Sequence, residues 1–201
     1  MPIDWHIEVF NKIESTQDAA MLAVQEGRPE GCVIQAMQQS GGRGRRGNVW
    51  EAPMGNLYMS VVLRPDCGVG RAGELAFVAA VAVSTALDSY VGDKPLKTLK
   101  WPNDVLVNGL KISGILLESH LEGESLEGLV VGMGVNIFKA PDLAISLNDV
   151  ATDPVYVNKV RDKILEEFGA AYLLWQEEGF EPIRQKWLAH AHGLGLSLIH
   201  I

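Results

Sequence analysis

The stretch "VLVNGLKISGILLE", residues 105–118, contains the strongest local folding signal in the chain. Asn108-Gly109 separates two apolar runs, and this dipeptide favours the tight turn of a β-hairpin because both positions tolerate positive φ. In the returning strand, Leu110 and Ile112 share one face and Lys111 points to the other. The segment therefore predicts an antiparallel strand pair. Its lysine either extends to solvent or enters a polar pocket.

The rest of the chain alternates short apolar runs with longer helical patterns. Further strands are predicted at 6–10, 32–37, 57–63 and 129–137, and the segment 96–101 leads into a Pro-Asn-Asp turn. Helices are predicted from the cap Ser15 to Gly27, over 72–91 with an end at Gly92, from Asp153-Pro154 to about Glu178, and near 181–191. Strands joined by hairpins with helices interspersed predict an α+β fold, with a mixed, largely antiparallel sheet packed against helices.

Composition restricts the class of protein. The chain has 201 residues, 47% of them hydrophobic, which is enough for one domain with a sizeable core. The net charge of -8 argues against non-specific DNA binding, which needs a broad basic surface. The apolar run at 75–87 is shorter than a membrane span and predicts a buried helix. No secretory signal is present at the start, so a cytoplasmic location is expected, with no membrane partner.

A short basic loop stands out against this acidic background. The stretch "QQSGGRGRRGNVW", residues 38–50, combines Arg43, Arg45 and Arg46 with four glycines. It satisfies GxGxxG, but the chain continues through Pro53 and Gly55 into a strand, whereas a dinucleotide fingerprint leads into a helix. The HRD and DFG elements of a protein kinase are absent. The loop is therefore either a solvated surface loop or a loop that orders around a phosphate.

A second polar segment follows the basic loop. Residues 97–119, "KTLKWPNDVLVNGLKISGILLES", contain three lysines and an Asn-Asp pair. Asp104 suits a turn, because Pro-Asn-Asp sequences are common there, and its carboxylate also suits a magnesium ligand. Taken alone, the segment leaves both interpretations open.

Together these segments resemble the biotin protein ligases. "GRGRRG", "LKWPNDV", the lysine seven residues after the aspartate in "KISGILLE", and "GMGVN" occur in that family's order and spacing. "IESTQDAA" and "NLYMSVVLRP" are also similar to it, and the resemblance covers residues 6–190. It implies the biotin/lipoate ligase catalytic-domain architecture, which is class II synthetase-like. It also implies activation of biotin with ATP to biotinyl-5'-adenylate and pyrophosphate, followed by transfer to a lysine of a biotin carboxyl carrier protein.

The resemblance also implies roles for individual residues. The expected biotin-binding residues are Ser15, Thr16, Gln39, Arg43, Gly44, Arg45, Lys111 and Gly114. The expected nucleotide-binding residues are Arg45, Arg46, Trp50, Lys100, Asn103, Lys111 and Asn136, with core packing as the alternative for Trp50. Lys111, Arg45 and Asp104 are expected to be catalytic, and Asp104 is also the expected Mg²⁺ ligand. ATP and Mg²⁺ are thus expected as co-substrate and ion, with no tightly bound prosthetic group.

Some features depart from the family pattern. Ser40-Gly41 precedes the arginine motif and Asn48 follows it, where many relatives carry other residues. The pattern begins within the first 15 residues, so we expect no helix-turn-helix region and no DNA partner. A C-terminal β-barrel is also expected to be missing, which leaves a catalytic domain at 1–190 and a tail at 191–201. A monomer and a homodimer are both compatible with the sequence.

Two alternatives belong to other function classes. Lipoate ligases and octanoyl transferases share the broad architecture but generally lack the pair of motifs GRGRRG and KWPND. A non-enzymatic biotin-binding or nucleic-acid-binding module is the other alternative. The acidic charge disfavours nucleic acid.

Overall fold

The structure is a computed structural model that describes residues 3–91 and 96–194. Its strands are β1 (His6–Phe10), β2 (Cys32–Ala36), β3 (Leu57–Leu63), β4 (Lys97–Lys100), β5 (Asp104–Val107), β6 (Leu110–Glu122) and β7 (Ser125–Val135). Its α-helices are α1 (Thr16–Gln25), α2 (Val69–Ala72), α3 (Glu74–Leu87), α4 (Val157–Glu178) and α5 (Phe180–Ala189). Short 3-10 turns occupy Arg45–Gly47 and Leu147–Asp149.

The strands form one sheet in the order β1-β2-β3-β7-β6-β5-β4. Strands β1 and β2 are parallel and are joined through α1, and the other neighbours are antiparallel. The predicted hairpin turn is present, with φ of 51° at Asn108 and 78° at Gly109. The α+β prediction with a mixed, largely antiparallel sheet is confirmed.

Helices cover one face of the sheet fully and the other face in part, so the central strands carry apolar residues on both sides. On one face, residues such as Met59 and Val131 pack in a core with α3, α4 and α5. On the other face, α1 packs on Ile34, Val62 and Val130. Helix α1 lies mainly on β2, β3 and β7, which leaves the part of this face near β5 and β6 uncovered by a helix.

Helix α3 corrects the prediction of one helix over 72–91. The helical stretch divides at Gly73, which ends α2 and caps α3, and α3 ends at Leu87. Bonds of three-residue spacing, such as Tyr90 N–H to the Leu87 carbonyl, tighten the chain beyond it. The predicted end at Gly92 lies outside the described residues. By length and composition alone Val69–Leu87 is apolar enough to cross a membrane, but α3 packs against the sheet, α4 and α5 as a core helix.

Two other boundaries differ from the predictions. Strand β7 begins at Ser125 rather than 129, because its polar first residues extend the hairpin with β6 beyond the core. Helix α4 begins at Val157, and Tyr156 takes the cap position expected for Asp153. Val155 is buried in the core and the following Tyr156 is extended, so the helix begins only at Val157.

The chain beyond α5 returns to the edge of the sheet. The N–H of Leu99 donates to the His190 carbonyl at 2.7 Å, and the N–H of His192 donates to the Leu99 carbonyl at 2.8 Å. The first residues of the predicted tail thus pair with β4. Residues 195–201 lie outside the described residues, and the division into domain and tail stays a prediction.

Lys97 on β4 is a buried cation, with its side chain only 11% exposed. Its ammonium donates to the Ser84 carbonyl at 2.9 Å and pairs with Asp88 after the end of α3. Burial lowers the pKa of Lys97 to about 8. The Asp88 side chain is largely exposed, so solvent screens its charge and the ion pair does not offset the desolvation.

The buried ammonium predicts a pH-dependent stability. Above pH 8 the folded protein releases the Lys97 proton, whereas the unfolded chain keeps it until near 10.5. The unfolded state then binds more protons, so this group's contribution to the free energy of unfolding rises with pH, by about 2 kcal/mol between pH 8 and 10. Lys97→Met should remove that rise in urea unfolding, whereas exposed Lys186→Met should keep it. The same pH dependence in Lys97→Met and the parent would contradict the assignment.

Candidate active site

A cavity of about 480 Å³ lies on the sheet face that α1 covers only in part. Its walls are the N-terminus of α1, the loop 39–50 and the turn 100–104. Its floor is formed by β3, β6 and β7. The two polar segments singled out in the sequence therefore meet around one cavity, although residues 51–96 separate them in the chain.

Glycines on the floor make room for the cavity. Gly114 on β6 pairs with Gly134 on β7, and Gly132 lies two residues before Gly134 on the same face. A Cβ added at Gly114 or Gly134 would lie 2.7 Å from the ring of Trp50. A Cβ at Gly132 would collide with the side-chain amide of Gln17. The floor can therefore hold the Trp50 ring only because Gly114 and Gly134 lack side chains, and Gly132 leaves room for Gln17.

A β-bulge in β6 determines where Lys111 points. Val105 pairs with Ser113 and Leu106 pairs with Lys111, so Ile112 is an extra residue without a partner on β5. Ile112 and Ser113 are both fully buried, whereas Lys111 lines the cavity. A regular strand would place Lys111 on the face of Ser113, away from Gly114. The bulge thus brings Lys111 to the same face as Gly114.

Lys111 and Asp104 form an ion pair inside the cavity. The Lys111 ammonium lies 2.7 Å from Asp104 Oδ1, but the angle is not that of a hydrogen bond. The ammonium also lies 5.2 Å from the centre of the Trp50 ring, within the range of a cation–π interaction. Both charged side chains are partly shielded, so the pair is a strong local dipole that a charged ligand could rearrange.

The end of the cavity near α1 is polar but neutral. The Ser15 hydroxyl caps α1 by accepting a hydrogen bond from the Asp18 N–H. The N–H of Thr16, the first residue of α1, donates to Gln39 Oε1 at 2.6 Å. The Ser60 hydroxyl lies 3.0 Å from Thr16 Oγ1 and 3.0 Å from the side-chain oxygen of Gln17. This end offers hydroxyl and amide groups that both donate and accept, and it suits a neutral polar ligand.

The basic loop folds back on itself as a small hairpin. The Gly44 N–H donates to the Asn48 carbonyl at 2.7 Å, and the Trp50 N–H donates to the Gly42 carbonyl at 2.9 Å. At the tip, Arg45 Nη1 lies 3.5 Å from Asn103 Oδ1, which links the loop to the turn 100–104. Asn103 itself donates to the Ile115 carbonyl at 2.6 Å, so β6 positions this turn.

Most of the residues predicted for the site line this cavity. They are Ser15, Thr16, Gln39, Arg43, Gly44, Arg45, Arg46, Trp50, Lys100, Asn103, Asp104, Lys111 and Gly114. Asn136 is not among the lining residues. It is 3% exposed and its side-chain amide lies 3.4 Å from the Lys111 carbonyl, so it supports the backbone of Lys111. Its contact with a nucleotide stays a prediction.

Other lining residues were missed by the sequence analysis. Gln17 and Ser60 belong to the neutral end, and Tyr58 lies beside them on β3. Burial raises the pKa of Tyr58 to about 12, so its hydroxyl stays neutral and donates to the Pro53 carbonyl at 2.8 Å. The signal was present in "LYMSVVL", where Tyr58 and Ser60 share one face of an otherwise apolar strand.

Comparison with known proteins assigns the chain to a family. The model of the biotin/lipoate A/B protein ligase family matches residues 9–136. The biotin--[acetyl-CoA-carboxylase] ligase of Paracoccus denitrificans is 40% identical over 192 residues, which span 90% of this chain and 80% of that protein. The chain belongs to the biotin/lipoate A/B protein ligase family. The family match contains every residue that lines the cavity.

Further members of the biotin/lipoate A/B protein ligase family agree in sequence and in fold. The bifunctional ligase/repressor BirA of Bacillus subtilis is 33% identical over 202 residues, covering 96% of this chain and 62% of that protein. The solved biotin protein ligase from Aquifex aeolicus in complex with biotin and ATP has a TM-score of 0.78 and 26% identity. That match covers 92% of this chain and 78% of the other. The resemblance inferred from the motifs is confirmed.

The glycine floor predicts the effect of one added methyl group. Gly134→Ala would force the Trp50 ring from its place, so we expect a changed tryptophan emission spectrum and about 1–3 kcal/mol of destabilisation in urea unfolding. In a Trp50→Phe background the spectral change should disappear. Gly68→Ala is the control, because a Cβ at Gly68 has no neighbour within 4 Å. An unchanged spectrum in Gly134→Ala would show that the ring does not rest on this floor.

Proposed function

We propose that this chain is a biotin protein ligase. It joins the carboxylate of biotin to the α-phosphorus of ATP, and it passes the biotinyl group from biotinyl-5'-adenylate to a lysine of a biotin carboxyl carrier protein. The observation that carries the proposal is one cavity with a neutral polar end and a cationic end. Family membership and the likeness to the Aquifex aeolicus ligase support it.

The neutral end suits the head of biotin. The ureido ring has N–H donors and a carbonyl acceptor and carries no charge. Thr16, Gln39 and Ser60 offer the complementary groups, while Ser15 holds the first turn of α1 in place. A buried site with fixed hydrogen-bonding groups discriminates against ligands that leave those groups unpaired. This end therefore selects biotin over lipoate, whose dithiolane ring has no such groups.

The cationic end suits the reacting groups. A biotin carboxylate oxygen attacks the α-phosphorus, the bond to the β-phosphate oxygen breaks, and pyrophosphate leaves. The substrate itself is the nucleophile, so the protein contributes positioning and charge stabilisation. The Lys111 ammonium leaves Asp104 and pairs with the biotin carboxylate and the α-phosphate. Arg45, Arg46 and Lys100 face the phosphates. Gly44 allows the loop backbone to approach the ligand closely.

Mg²⁺ is compatible with the residues present. Within residues 3–91 and 96–194, no group of three His, Cys, Asp or Glu side chains is placed to hold a metal. Mg²⁺ commonly uses one or two carboxylates together with substrate phosphates, and Asp104 lines the cavity next to Lys111. Asp104 is therefore the proposed ligand, and the ion would neutralise phosphate charge. Trp50 would pack on the adenine, with Asn136 behind Lys111.

The second step requires a neutral lysine amine. The amine of the carrier protein attacks the carbonyl carbon of the mixed anhydride, AMP leaves, and one proton is lost. Asp104, released from Lys111 in the first step, would accept that proton. We place the reaction in the cytoplasm within a catalytic domain at 1–190, acting as a monomer or homodimer.

Exchange of labelled pyrophosphate into ATP tests the first step. We expect exchange with biotin, none without it and none with lipoate. Biotin-independent exchange would contradict the proposal. Exchange with lipoate in place of biotin would instead assign the chain to the lipoate branch of the family.

Lys111→Ala tests the central residue. Loss of the ammonium should lower the exchange rate by at least about 100-fold, because a group that stabilises transition-state charge has effects of that size. Thermal unfolding should show that the variant is folded. Lys159→Ala, which removes an exposed lysine on α4, is the matched control and should keep the parent rate. Near-normal exchange in Lys111→Ala would remove its catalytic assignment.

A further inference from the structure

Arg43 does not share the surroundings of the other two arginines in its loop. Its guanidinium pairs through Nη1 with Asp18, in the first turn of α1, and through Nη2 with Glu118 on β6 at 2.6 Å. For Arg45 and Arg46, no carboxylate among the described residues lies within ion-pair distance. Arg43 thus ties the loop to two separate elements of the domain, and two carboxylates already satisfy its charge.

Because Arg43 lies at the base of the loop hairpin, its ion pairs affect the position of the whole hairpin. Arg43 and Val49 face each other in the loop hairpin, one residue inside the bond that joins Gly42 and Trp50. Residues before Arg43 are held by backbone bonds, such as Gly41 N–H to the Glu14 carbonyl at 2.8 Å. The tip is held less firmly, since the Arg45–Asn103 contact is long at 3.5 Å. Arg43 is therefore the last strong attachment before the tip.

Loss of the ion pair with Arg43 would be unfavourable for Glu118, because its carboxylate is partly buried. Its Oε2 atom is shielded from solvent and has no hydrogen-bond partner among the described residues, and its Oε1 atom contacts Arg43. Without Arg43 the whole carboxylate would be left unpaired in a partly buried position, which is unfavourable. The loop is therefore favoured in the position that keeps Arg43 between the two acids.

We propose that Asp18 and Glu118 are positioning residues that act through Arg43 to hold the loop hairpin closed over the cavity. By holding it closed, they set how long the activated intermediate stays in the cavity. The retention of an intermediate rests on the proposed function. The closure of the loop does not, and it is measured separately.

Limited proteolysis tests the closure without any ligand. Trypsin cleaves after arginine, so cutting after Arg45 and Arg46, mapped by mass spectrometry, reports how often the loop opens. We expect Glu118→Gln and the double variant Asp18→Asn/Glu118→Gln to be cut faster than the parent, the double variant by about 5-fold. Glu166→Gln removes an exposed ion pair on α4 and should be cut at the parent rate. Equal cutting of parent and double variant, with equal thermal stability, would overturn the proposal.

Salt dependence and double variants distinguish an ionic latch, meaning the pairing of Arg43 with Asp18 and Glu118, from a general destabilisation of the loop hairpin. Added salt should accelerate cutting of the parent and have little effect on the double variant, because the ion pairs are partly exposed. Adding Glu118→Gln to Arg43→Gln should give no further acceleration beyond that of Arg43→Gln alone, because Arg43→Gln already removes both ion pairs. Additive effects, or the same salt dependence in all variants, would contradict a latch through Arg43.

Release of the intermediate tests the consequence. With labelled biotin and ATP, rapid filtration should show that biotinyl-5'-adenylate leaves the Asp18→Asn/Glu118→Gln variant about 5-fold faster than the parent. Faster cutting with unchanged release would overturn the link to retention. Formation of no adenylate by the parent would refute the proposed function, and the proteolysis result would still decide whether the latch exists.

Discussion

The extra residue in β6 is the constraint on which the rest of the site depends. A regular strand that presented Lys111 to the cavity would also turn Ser113 toward it and bury the face that holds Gly114. The bulge at Ile112 keeps Ile112 and Ser113 in the core and returns Gly114 to the cavity face. One strand thereby supplies a continuous apolar surface to the core on one side. On the other side it supplies a cation next to a glycine.

The fold could be predicted well because its main signals are local. The Asn108-Gly109 turn, the apolar strands and the Ser15 cap each depend on a few neighbouring residues. The exact limits of α3, α4 and β7 could not, because Ala72 and Val155 pack in the core with distant elements and the polar start of β7 is set by its pairing with β6. Lys111 and the arginine loop were identified from motifs. Gln17 and Ser60 were missed because the sequence shows only that Ser60 shares a strand face with Tyr58, and it is the packing of α1 on β3 that brings Gln17 to that face.

A local excess of positive charge marks the cavity. The chain is acidic overall, with a net charge of -8, yet its cavity is lined by three arginines and two lysines. Such a cluster would repel itself in the absence of ligand. Asp104 next to Lys111, and Asp18 and Glu118 next to Arg43, reduce that repulsion. The acids therefore stabilise the ligand-free site, and an anionic ligand must compete with Asp104 for Lys111.

The three arginines differ in what they can do because of where they lie in the loop hairpin. Arg43 is at the base, where α1 and β6 both supply carboxylates within reach. Arg45 and Arg46 are at the tip, where Arg46 adopts a positive φ of 55° that turns the chain. If Arg43 also bound phosphate, each binding event would break the contacts that close the loop. Separating the two tasks along the hairpin lets the tip engage a charged ligand while the base stays anchored.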